Sequence, residues 1–202
     1  IMSSDWSSDV CSSDLEKIFS LFEADTELIN RGKTPNPIEF GHRIFVIQDS
    51  AGFIVYGSAM GRGSTDDKVL VEVMRNLQNR FNGKIGVASF DKGFWSKNNY
   101  NELSKIVKVP VLPKKGKRSK TEAERESSKV FGQSRKWHSG VESAIHALTK
   151  GNGLDVCKDR GIIGYERYLA LGILGRNLQT LGTILLEKER DKKRKQRFEA
   201  LV

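Results

Sequence analysis

The stretch that decides the fold is Lys84-Ile85-Gly86-Val87-Ala88-Ser89-Phe90, followed at once by Asp91-Lys92-Gly93-Phe94. The first seven residues are short and mostly apolar, which predicts a central strand buried on both faces. Asp91 then stands where the chain leaves the strand. A carboxylate there either begins a turn or serves as a catalytic or metal-binding group, since the strand holds its backbone in place.

Helices and strands alternate around this strand, which predicts an α/β domain with a mixed sheet flanked by helices. Turn residues Asp49 to Gly52 join two β-rich runs into an antiparallel hairpin. The other elements are predicted from the spacing of apolar residues and from capping residues, and Asn82-Gly83 is predicted to end a helix. The predicted elements are strands Arg43–Gln48 and Phe53–Ser58, a helix from Ser64 or Thr65, a helix from Ser96 to Val107, and a strand from Val109 to Leu112.

Three helices are predicted downstream. Thr121 with Glu124 forms a capping box for a charged helix, and Ser139 with Glu142 forms one for the next, whose apolar face holds Val141, Ile145 and Leu148. The last helix runs from about Tyr165 to Arg197. Its apolar stripe is Leu171, Leu174, Leu178, Leu181 and Leu185, and we expect its Arg176-Asn177 pair to face the sheet or the active-site side.

Composition limits the class of protein. The chain has 202 residues, with 34 Lys and Arg against 25 Asp and Glu, and a net charge of +9. Two cysteines exclude a disulfide scaffold and a four-thiolate zinc site. No run of about 18 apolar residues occurs, which we take to rule out a simple membrane span. The basic excess favours a polyanionic partner, nucleic acid before membrane.

The first fifteen residues differ from the rest in being rich in Ser and Asp. Residues Asp5 to Leu15 match, one by one, the translation of a common sequencing-library adapter. We therefore expect residues 1–15 to be non-native. Removing their three acidic residues raises the net charge to +12 and leaves Cys157 as the native thiol. The native polypeptide before Glu16 is then unknown.

Two segments carry most of the basic charge. One is the loop Lys114 to Lys120, with Lys114, Lys115, Lys117 and Arg118, and the other is the tail Lys188 to Arg197. Either segment would bind phosphate without regard to base sequence, or would be a solvated surface. We expect Trp95 and Trp137 to pack rather than stack on bases, and the spacing of His138, His146 and Cys157 does not suit zinc.

Several motifs in order resemble those of bacterial insertion-sequence transposases of the DDE type, which have an RNase H-like fold. They are Leu21 to Glu27, Arg31-Gly32-Lys33, Glu39 to His42, Phe90 to Phe94, Gly140 to Ile145 and Gly175 to Leu178. The resemblance covers roughly Lys17 to Leu186. It implies an RNase H-like mixed sheet, incomplete at the N-terminus, within a partial catalytic domain of residues 16–190, followed by a basic tail, 191–202.

The resemblance also implies three carboxylates around two Mg²⁺ ions, which cut and join DNA by in-line displacement at phosphorus. Asp91 would be the second acid and Glu142 the third, both as metal ligands. Asp25 does not lie in a buried strand, so we expect the first acid upstream of residue 16. Phosphate contacts near the third acid would come from Arg135, Lys136 and Lys150, because His138 and Thr149 occupy the family's usual basic positions.

The function implied is that of a DNA transposase acting on element ends and target DNA, in a homodimeric complex, in the bacterial cytoplasm at the nucleoid. The chain as given would lack strand transfer. Two alternatives stay open. One is an RNase H-like nuclease that cleaves without joining, and the other is a basic DNA-binding module in which Asp91 and Glu142 are structural.

Overall fold

The computed structural model describes residues 18–30, 37–61, 64 and 66–199, and the adapter-like segment 1–15 lies outside them. The strands are β1 (Glu27–Asn30), β2 (Ile38–Gly41), β3 (Ile44–Gln48), β4 (Ile54–Ala59), β5 (Val87–Ser89) and β6 (Val109–Val111). The α-helices are α1 (Asp66–Arg80), α2 (Lys97–Ile106), α3 (Lys120–Ser127), α4 (Lys129–His146) and α5 (Gly161–Glu199). This order of elements confirms an α/β chain with a long C-terminal helix.

The β3–β4 hairpin is confirmed. Its strands pair antiparallel, with Ile44 opposite Ala59 and Ile47 opposite Tyr56. The Asp49 carboxylate accepts hydrogen bonds from the backbone N–H groups of Ala51 (2.9 Å) and Phe53 (2.8 Å). Asp49 therefore closes the turn with its side chain, as the turn chemistry predicts.

The sheet is smaller than predicted. Among the described residues the strands form three separate two-stranded sheets, and β5 pairs in parallel with β6 alone. The prediction that β5 is buried on both faces is wrong, because Val87 is 43% exposed. An apolar strand is buried only when neighbours cover both its faces, and β5 has a strand neighbour on one side only within this part of the chain.

Helix α1 forms the centre of the core. Leu70, Met74 and Leu77 are almost fully buried and belong to one apolar cluster with residues of β3, α2 and the segments after β5 and β6. The side chain of Gln78 ties the same helix to its neighbours. Its amide donates to the carbonyls of Ile85 (3.1 Å) and Ile106 (2.8 Å) and accepts from Ile85 N–H (3.0 Å). This helix thus fixes the entry to β5 and the end of α2.

Helix boundaries match the sequence signals at α1 and α2. Asn82 and Gly83 adopt positive φ angles of 51° and 73° just after α1, as expected of a helix stop. Ser96 caps α2 by accepting a hydrogen bond from Asn99 N–H at 3.0 Å. Both signals are local, which is why they could be identified from the sequence.

The two predicted capping boxes are wrong. Ser119 and Glu122, not Thr121 and Glu124, form the box that begins α3. Ser128 caps α4, accepting from Phe131 N–H at 3.3 Å, so that residues 139–142 lie deep inside this helix. Several serines satisfy the same short pattern, and the cap is the one whose backbone is extended.

The apolar face predicted for this region also changes. Ala144 and Leu148 are buried, whereas Ile145 is 38% exposed. Leu148 lies in a π-helical turn, Ala147–Gly151, that follows α4 directly.

Residues 27–30 and 38–41 form a pair of strands ahead of β3. Strands β1 and β2 pair antiparallel, with Glu27 opposite Gly41. Glu27 is 7% exposed and forms an ion pair with Arg43 (3.2 Å), which also donates to the Ser64 carbonyl (2.7 Å). A buried carboxylate needs such a partner, so this pair anchors the β1–β2 hairpin to the start of β3.

Helix α5 packs on β4 through one face. The Asn177 amide accepts from Ile54 N–H (2.8 Å) and donates to Ile54 carbonyl (2.9 Å), which confirms that this residue faces the sheet. A Cβ on Gly57 would lie 2.3 Å from the Ile173 side chain, so helix and strand approach closely. The apolar stripe of α5 is not buried: Leu171, Leu174, Leu178, Leu181 and Leu185 are 43–60% exposed.

Helix α5 is long and apolar enough to span a membrane by length and composition, and it is the single such helix in the described part of the chain. The apolar window that meets this criterion is mostly exposed. The length and composition of α5 thus weaken the sequence-based argument against a membrane-spanning helix. The side chains of Ile173 and Asn177 nevertheless contact β4.

Replacing Asn177 with alanine tests the docking of α5. We expect the Asn177→Ala protein to lose about 1–3 kcal/mol of unfolding free energy, because the backbone N–H and carbonyl of Ile54 lose their partners. Urea denaturation followed by circular dichroism measures the change. The exposed neighbour Gln179→Ala is the control and should change stability little. Equal losses in both variants would contradict this role of Asn177.

Candidate functional site

A cleft of about 920 Å³ opens between β3 and β5. Its lining includes Met74 and Leu77 of α1 and Trp137 and Val141 of α4. The ends are formed by the turn after β3 and by residues 84–90 leading through β5. Apolar side chains dominate this lining, with a few polar groups among them, as in many binding sites.

The two strands that border the cleft belong to different sheets. Strand β3 bonds to β4 and β5 bonds to β6, and no described strand connects β3 with β5. Helix α4 contacts both strands, so it bridges the cleft on one face. The cleft therefore separates the β3–β4 pair from the β5–β6 pair, and α4 contacts a strand of each pair.

Asp91 directly follows the last residue of the segment 84–90 that lines the cleft. It follows Phe90, a lining residue, and its side chain is exposed. One carboxylate oxygen accepts from Lys92 N–H at 2.7 Å, and Asp91 caps a short 3-10 turn, Lys92–Phe94. The turn-forming interpretation of Asp91 is thus correct. It does not exclude a ligand, because a carboxylate offers about four lone-pair sites.

Glu142 lies on α4 beside Val141, another lining residue. Its side chain is exposed, and it is not engaged in the cap that we predicted, since α4 begins at Lys129. Asp91 and Glu142 therefore each stand next to a residue that lines the same cleft. No group of three or more His, Cys, Asp or Glu suited to a metal ion occurs among the described residues.

Asp25, the native aspartate nearest before the β3–β4 hairpin, lies in an exposed turn just ahead of β1. It precedes the strands rather than standing in one. This position agrees with our expectation that Asp25 does not lie in a buried strand.

Three lining residues were not recognised as parts of a site. The Oγ of Ser89 and the Nδ1 of His138 are buried and have no hydrogen-bond partner within the described structure. Trp137 is 69% exposed, so the prediction that it packs is wrong, while Trp95 does pack, 5.8 Å from the Tyr100 ring. A cleft is formed by residues distant in sequence, so no local pattern marks them.

The basic loop divides into two kinds of residue. Lys114 forms an ion pair with Glu122 (2.6 Å), and Arg118 forms one with Glu126 (3.1 Å). Lys115 and Lys117 between them are exposed. Of the four predicted phosphate-binding residues in the loop, two are thus already engaged by glutamates of α3.

A stacked arginine fixes the base of this loop. The Arg125 guanidinium lies 4.2 Å from the ring centre of Tyr100 and 5.5 Å from that of Trp95. It also donates to the Leu112 carbonyl at 3.2 Å. Such cation–π contacts hold α3, and with it the loop, against α2.

The three phosphate contacts predicted near Glu142, which are Arg135, Lys136 and Lys150, differ in how exposed their side chains are. Lys136 is exposed and lines the cleft. Arg135 is half-buried, and its Nη1 has no hydrogen-bond partner within the described structure. Lys150 is held in an ion pair with Asp155. Of these three residues, Lys150 is thus engaged by an acidic side chain of the chain itself.

No family model, curated protein or solved structure matches this chain.

The ion pair between Lys114 and Glu122 predicts a change in the pKa of Glu122 that can be measured. The hydrogen bond from Lys114, followed by that from the Ser119 backbone, lowers the pKa of Glu122 from 4.5 to about 2. Folding therefore favours the ionised form, and this stabilisation is present above pH 4.5 and lost as the pH falls through about 2. Carbon-detected NMR titration of the Glu122 carboxyl measures it.

Lys114→Met is the control for this titration. Without the ammonium group, the pKa of Glu122 should rise toward 4.5. An unchanged low pKa in the variant would show that Lys114 does not cause the shift.

Proposed function

We propose that this chain is part of the catalytic domain of a DDE-type DNA transposase, with Asp91 and Glu142 as two of its metal-binding carboxylates. The observation that carries the proposal is that each carboxylate follows a residue lining one cleft, Asp91 after Phe90 and Glu142 after Val141. Asp91 follows the end of β5 and Glu142 lies on the helix that bridges the cleft. A strand end and a helix that converge in this way are a common setting for catalytic carboxylates.

The first acid of the proposed triad would come from native polypeptide outside residues 16–202. The cleft supports this part of the proposal, because β3 and β5 flank it without a described strand between them. An extended segment in the cleft would hydrogen-bond to strand edges and bring an acid toward Asp91 and Glu142.

The proposed metal is Mg²⁺, which prefers one or two carboxylates together with phosphate oxygens and water. Asp91 and Glu142 fit that requirement, since both are exposed carboxylates next in sequence to residues that line one cleft. When bound, the metal ions would supply charge stabilisation at the phosphorus that is attacked. The chain's own part is to hold the two carboxylates on a strand end and a helix.

DNA binding is proposed to rest on the exposed basic residues. Lys115, Lys117 and the α5 tail from Lys188 to Arg197 are exposed and would meet phosphates without reading base sequence. Trp137 at the cleft offers an exposed ring on which an unpaired base can stack.

A second candidate function is a basic DNA-binding module without catalysis. The specific observation in its favour is that Asp91 already caps a turn. Metal binding at Asp91 and Glu142 separates it from the transposase. An RNase H-like nuclease is a further alternative, and strand-transfer products on labelled element ends distinguish joining from cleavage alone.

Metal binding by the chain is the first test. We expect Mn²⁺, used in place of Mg²⁺, to bind at about millimolar concentration, because two carboxylates without a third give a weak site. The bound ion should broaden the NMR signals of Phe90 and Val141. The double variant Asp91→Asn, Glu142→Gln should abolish this broadening.

The control for metal binding is Asp25→Asn, Glu72→Gln, which removes two other exposed carboxylates. It should leave the broadening at Phe90 and Val141 unchanged. If the Asp91, Glu142 variant also leaves it unchanged, the two residues are structural and the non-catalytic alternative stands.

The second test concerns DNA. Replacing both Lys115 and Lys117 with alanine should weaken binding to a short duplex and lower the slope of log K against log salt by about 2. Fluorescence anisotropy over a salt series measures both quantities. Lys68→Ala, Lys108→Ala removes the same charge from other exposed positions and should change the slope less. Equal effects would mean that the loop is not a preferred phosphate contact.

A further inference from the structure

Strand β3 has one edge that no described strand covers. On its other edge, the Arg43 carbonyl accepts from Met60 N–H (2.8 Å), and Asp49 N–H donates to the Phe53 carbonyl (2.8 Å). Residues 43, 45, 47 and 49 therefore turn their backbone groups toward β4, because successive residues of a strand turn them to opposite edges. The residues whose backbone groups point away from β4 are Ile44, Val46 and Gln48.

Strand β5 has an uncovered edge of the same kind. On its other edge, the Gly86 carbonyl accepts a hydrogen bond from β6 and Phe90 N–H donates one to it, each over 3.0 Å. By the same alternation, the backbone groups of Val87 and Ser89 point away from β6. Both of these residues line the cleft. Each of the two strands that border the cleft thus has an edge that can accept another strand.

The two strands run in opposite directions. The ring of Phe45, the second residue of β3, lies 5.3 Å from the ring of Phe94, which follows β5. The start of β3 is therefore near the end of β5. A single inserted strand can then be antiparallel to β3 and parallel to β5 at the same time, and both are normal patterns of pairing. Insertion would join the two strand pairs into one mixed sheet, which is common among large sheets.

The lining of the cleft indicates which side chains such a strand carries. Met74 and Leu77 of α1 and Val141 of α4 contribute apolar side chains to the lining. A strand that is covered by helices has a nearly continuous run of apolar residues. Two lining atoms, Ser89 Oγ and His138 Nδ1, are buried and have no hydrogen-bond partner within the described structure. An occupant with polar backbone groups offers partners to atoms that otherwise cost free energy.

The occupant that the fold favours is a segment of the same chain that precedes β3. Strands that follow one another along a chain are neighbours in about two-thirds of cases. The β1–β2 hairpin pairs with itself, is tied to β3 by the Glu27–Arg43 ion pair (3.2 Å), and contributes no described residue to the lining. Because we expect residues 1–15 to be non-native, the segment belongs to the native polypeptide before Glu16.

We propose that the cleft receives one apolar β-strand of about five or six residues from the native polypeptide before Glu16, and that it accepts such a strand as a separate peptide. The peptide would add to a strand edge on each of its sides, as in strand addition by peptides. This inference deepens the proposed function, because the end of a strand parallel to β5 would bring an acid near Asp91. That last point rests on the proposed function, whereas the insertion of the strand does not.

Peptide binding by the whole chain tests the proposal. The probes are peptides with about six consecutive residues of Val, Ile, Leu, Ala or Thr, followed by Asp and flanked by Gly-Ser. We expect binding with a dissociation constant of about 10 µM or lower. Amide hydrogen exchange at Val46, Gln48, Val87 and Ser89, followed by NMR, should slow at least about tenfold. No binding by any probe, or binding without this protection, would overturn the proposal.

A peptide that is N-methylated at every second residue is the matched control. It keeps the side chains of the parent peptide but lacks the N–H donors along one edge. We expect it to bind at least about tenfold more weakly. Equal affinity would show that the cleft takes the peptide as an apolar ligand and not as a strand, which would also overturn the proposal.

A spin label at the C-terminal end of the peptide tests the direction of the strand. A strand parallel to β5 places this end near the end of β5, so the label should broaden the NMR signals of Phe94 more than those of Gly86. The reverse order of broadening would overturn the orientation.

Two variants of the chain test the place of binding. Val141→Trp puts a larger side chain into the lining and should weaken peptide binding at least about tenfold. Ser89→Leu should act in the same direction, which guards against a folding defect in one variant. The matched control is Val130→Trp, because Val130 lies on the same helix, is 49% exposed and is not a lining residue. The control should bind like the parent chain, with the same circular dichroism.

Strand insertion and the proposed metal site can fail separately. A bound peptide that ends in Asp should tighten Mn²⁺ binding at Asp91 and Glu142, relative to the same peptide ending in Asn, because a third carboxylate joins the site. If the peptides bind but leave Mn²⁺ affinity equal, strand insertion stands and the acid expected by the proposed function lies elsewhere. If Mn²⁺ binds but no peptide does, the insertion is wrong and the two carboxylates keep their proposed role.

Discussion

The packing of α1 between two pairs of strands is the constraint on which the other features depend. Leu70, Met74 and Leu77 bury themselves against the β3–β4 side and against the segments that follow β5 and β6. The two strand pairs are thus joined through helix packing and not through backbone hydrogen bonds to each other. This arrangement creates the cleft, because helices hold the strands in place while nothing described fills the space between β3 and β5.

The electrostatics of the molecule differ from its formal charge. A net charge of +9 suggests a surface open to polyanions, yet Lys114, Arg118 and Lys150 are held by acidic side chains of the chain itself. Exposed basic groups include Lys115, Lys117 and those along the end of α5. An ion pair that fixes a loop also reduces the charge available to a ligand, so the positions of glutamates matter as much as the number of lysines.

Helix α5 has one side that packs on β4 and another whose leucines are exposed. The side-chain amide of Asn177 forms hydrogen bonds with both backbone groups of Ile54, as a neighbouring strand would. These bonds hold the helix on β4. That contact leaves the leucines on the far side without cover within the described fold. Helix α5 is therefore apolar on both sides, with the apolar Ile173 and the polar Asn177 toward β4 and the leucines outward.

The sequence by itself determined the features that depend on neighbouring residues. Asp49 and Gly52 specify the β3–β4 turn, Asn82 and Gly83 end α1, and Ser96 begins α2, because caps and turns are made by hydrogen bonds over two to four residues. The position of Asp91 at the end of β5 was predictable for the same reason.

Only the tertiary structure decided which of several serines caps each helix, and which faces of the helices are covered by other parts of the fold. Ser128 rather than Ser139 begins α4, since the helix continues through the buried Phe131 and Ser134. The leucines of α5 satisfy a core pattern but stay exposed, and Glu142 adjoins the cleft lining at Val141 because α4 contacts both β3 and β5. Burial requires a partner surface, and a periodic pattern in one segment does not specify where that surface lies.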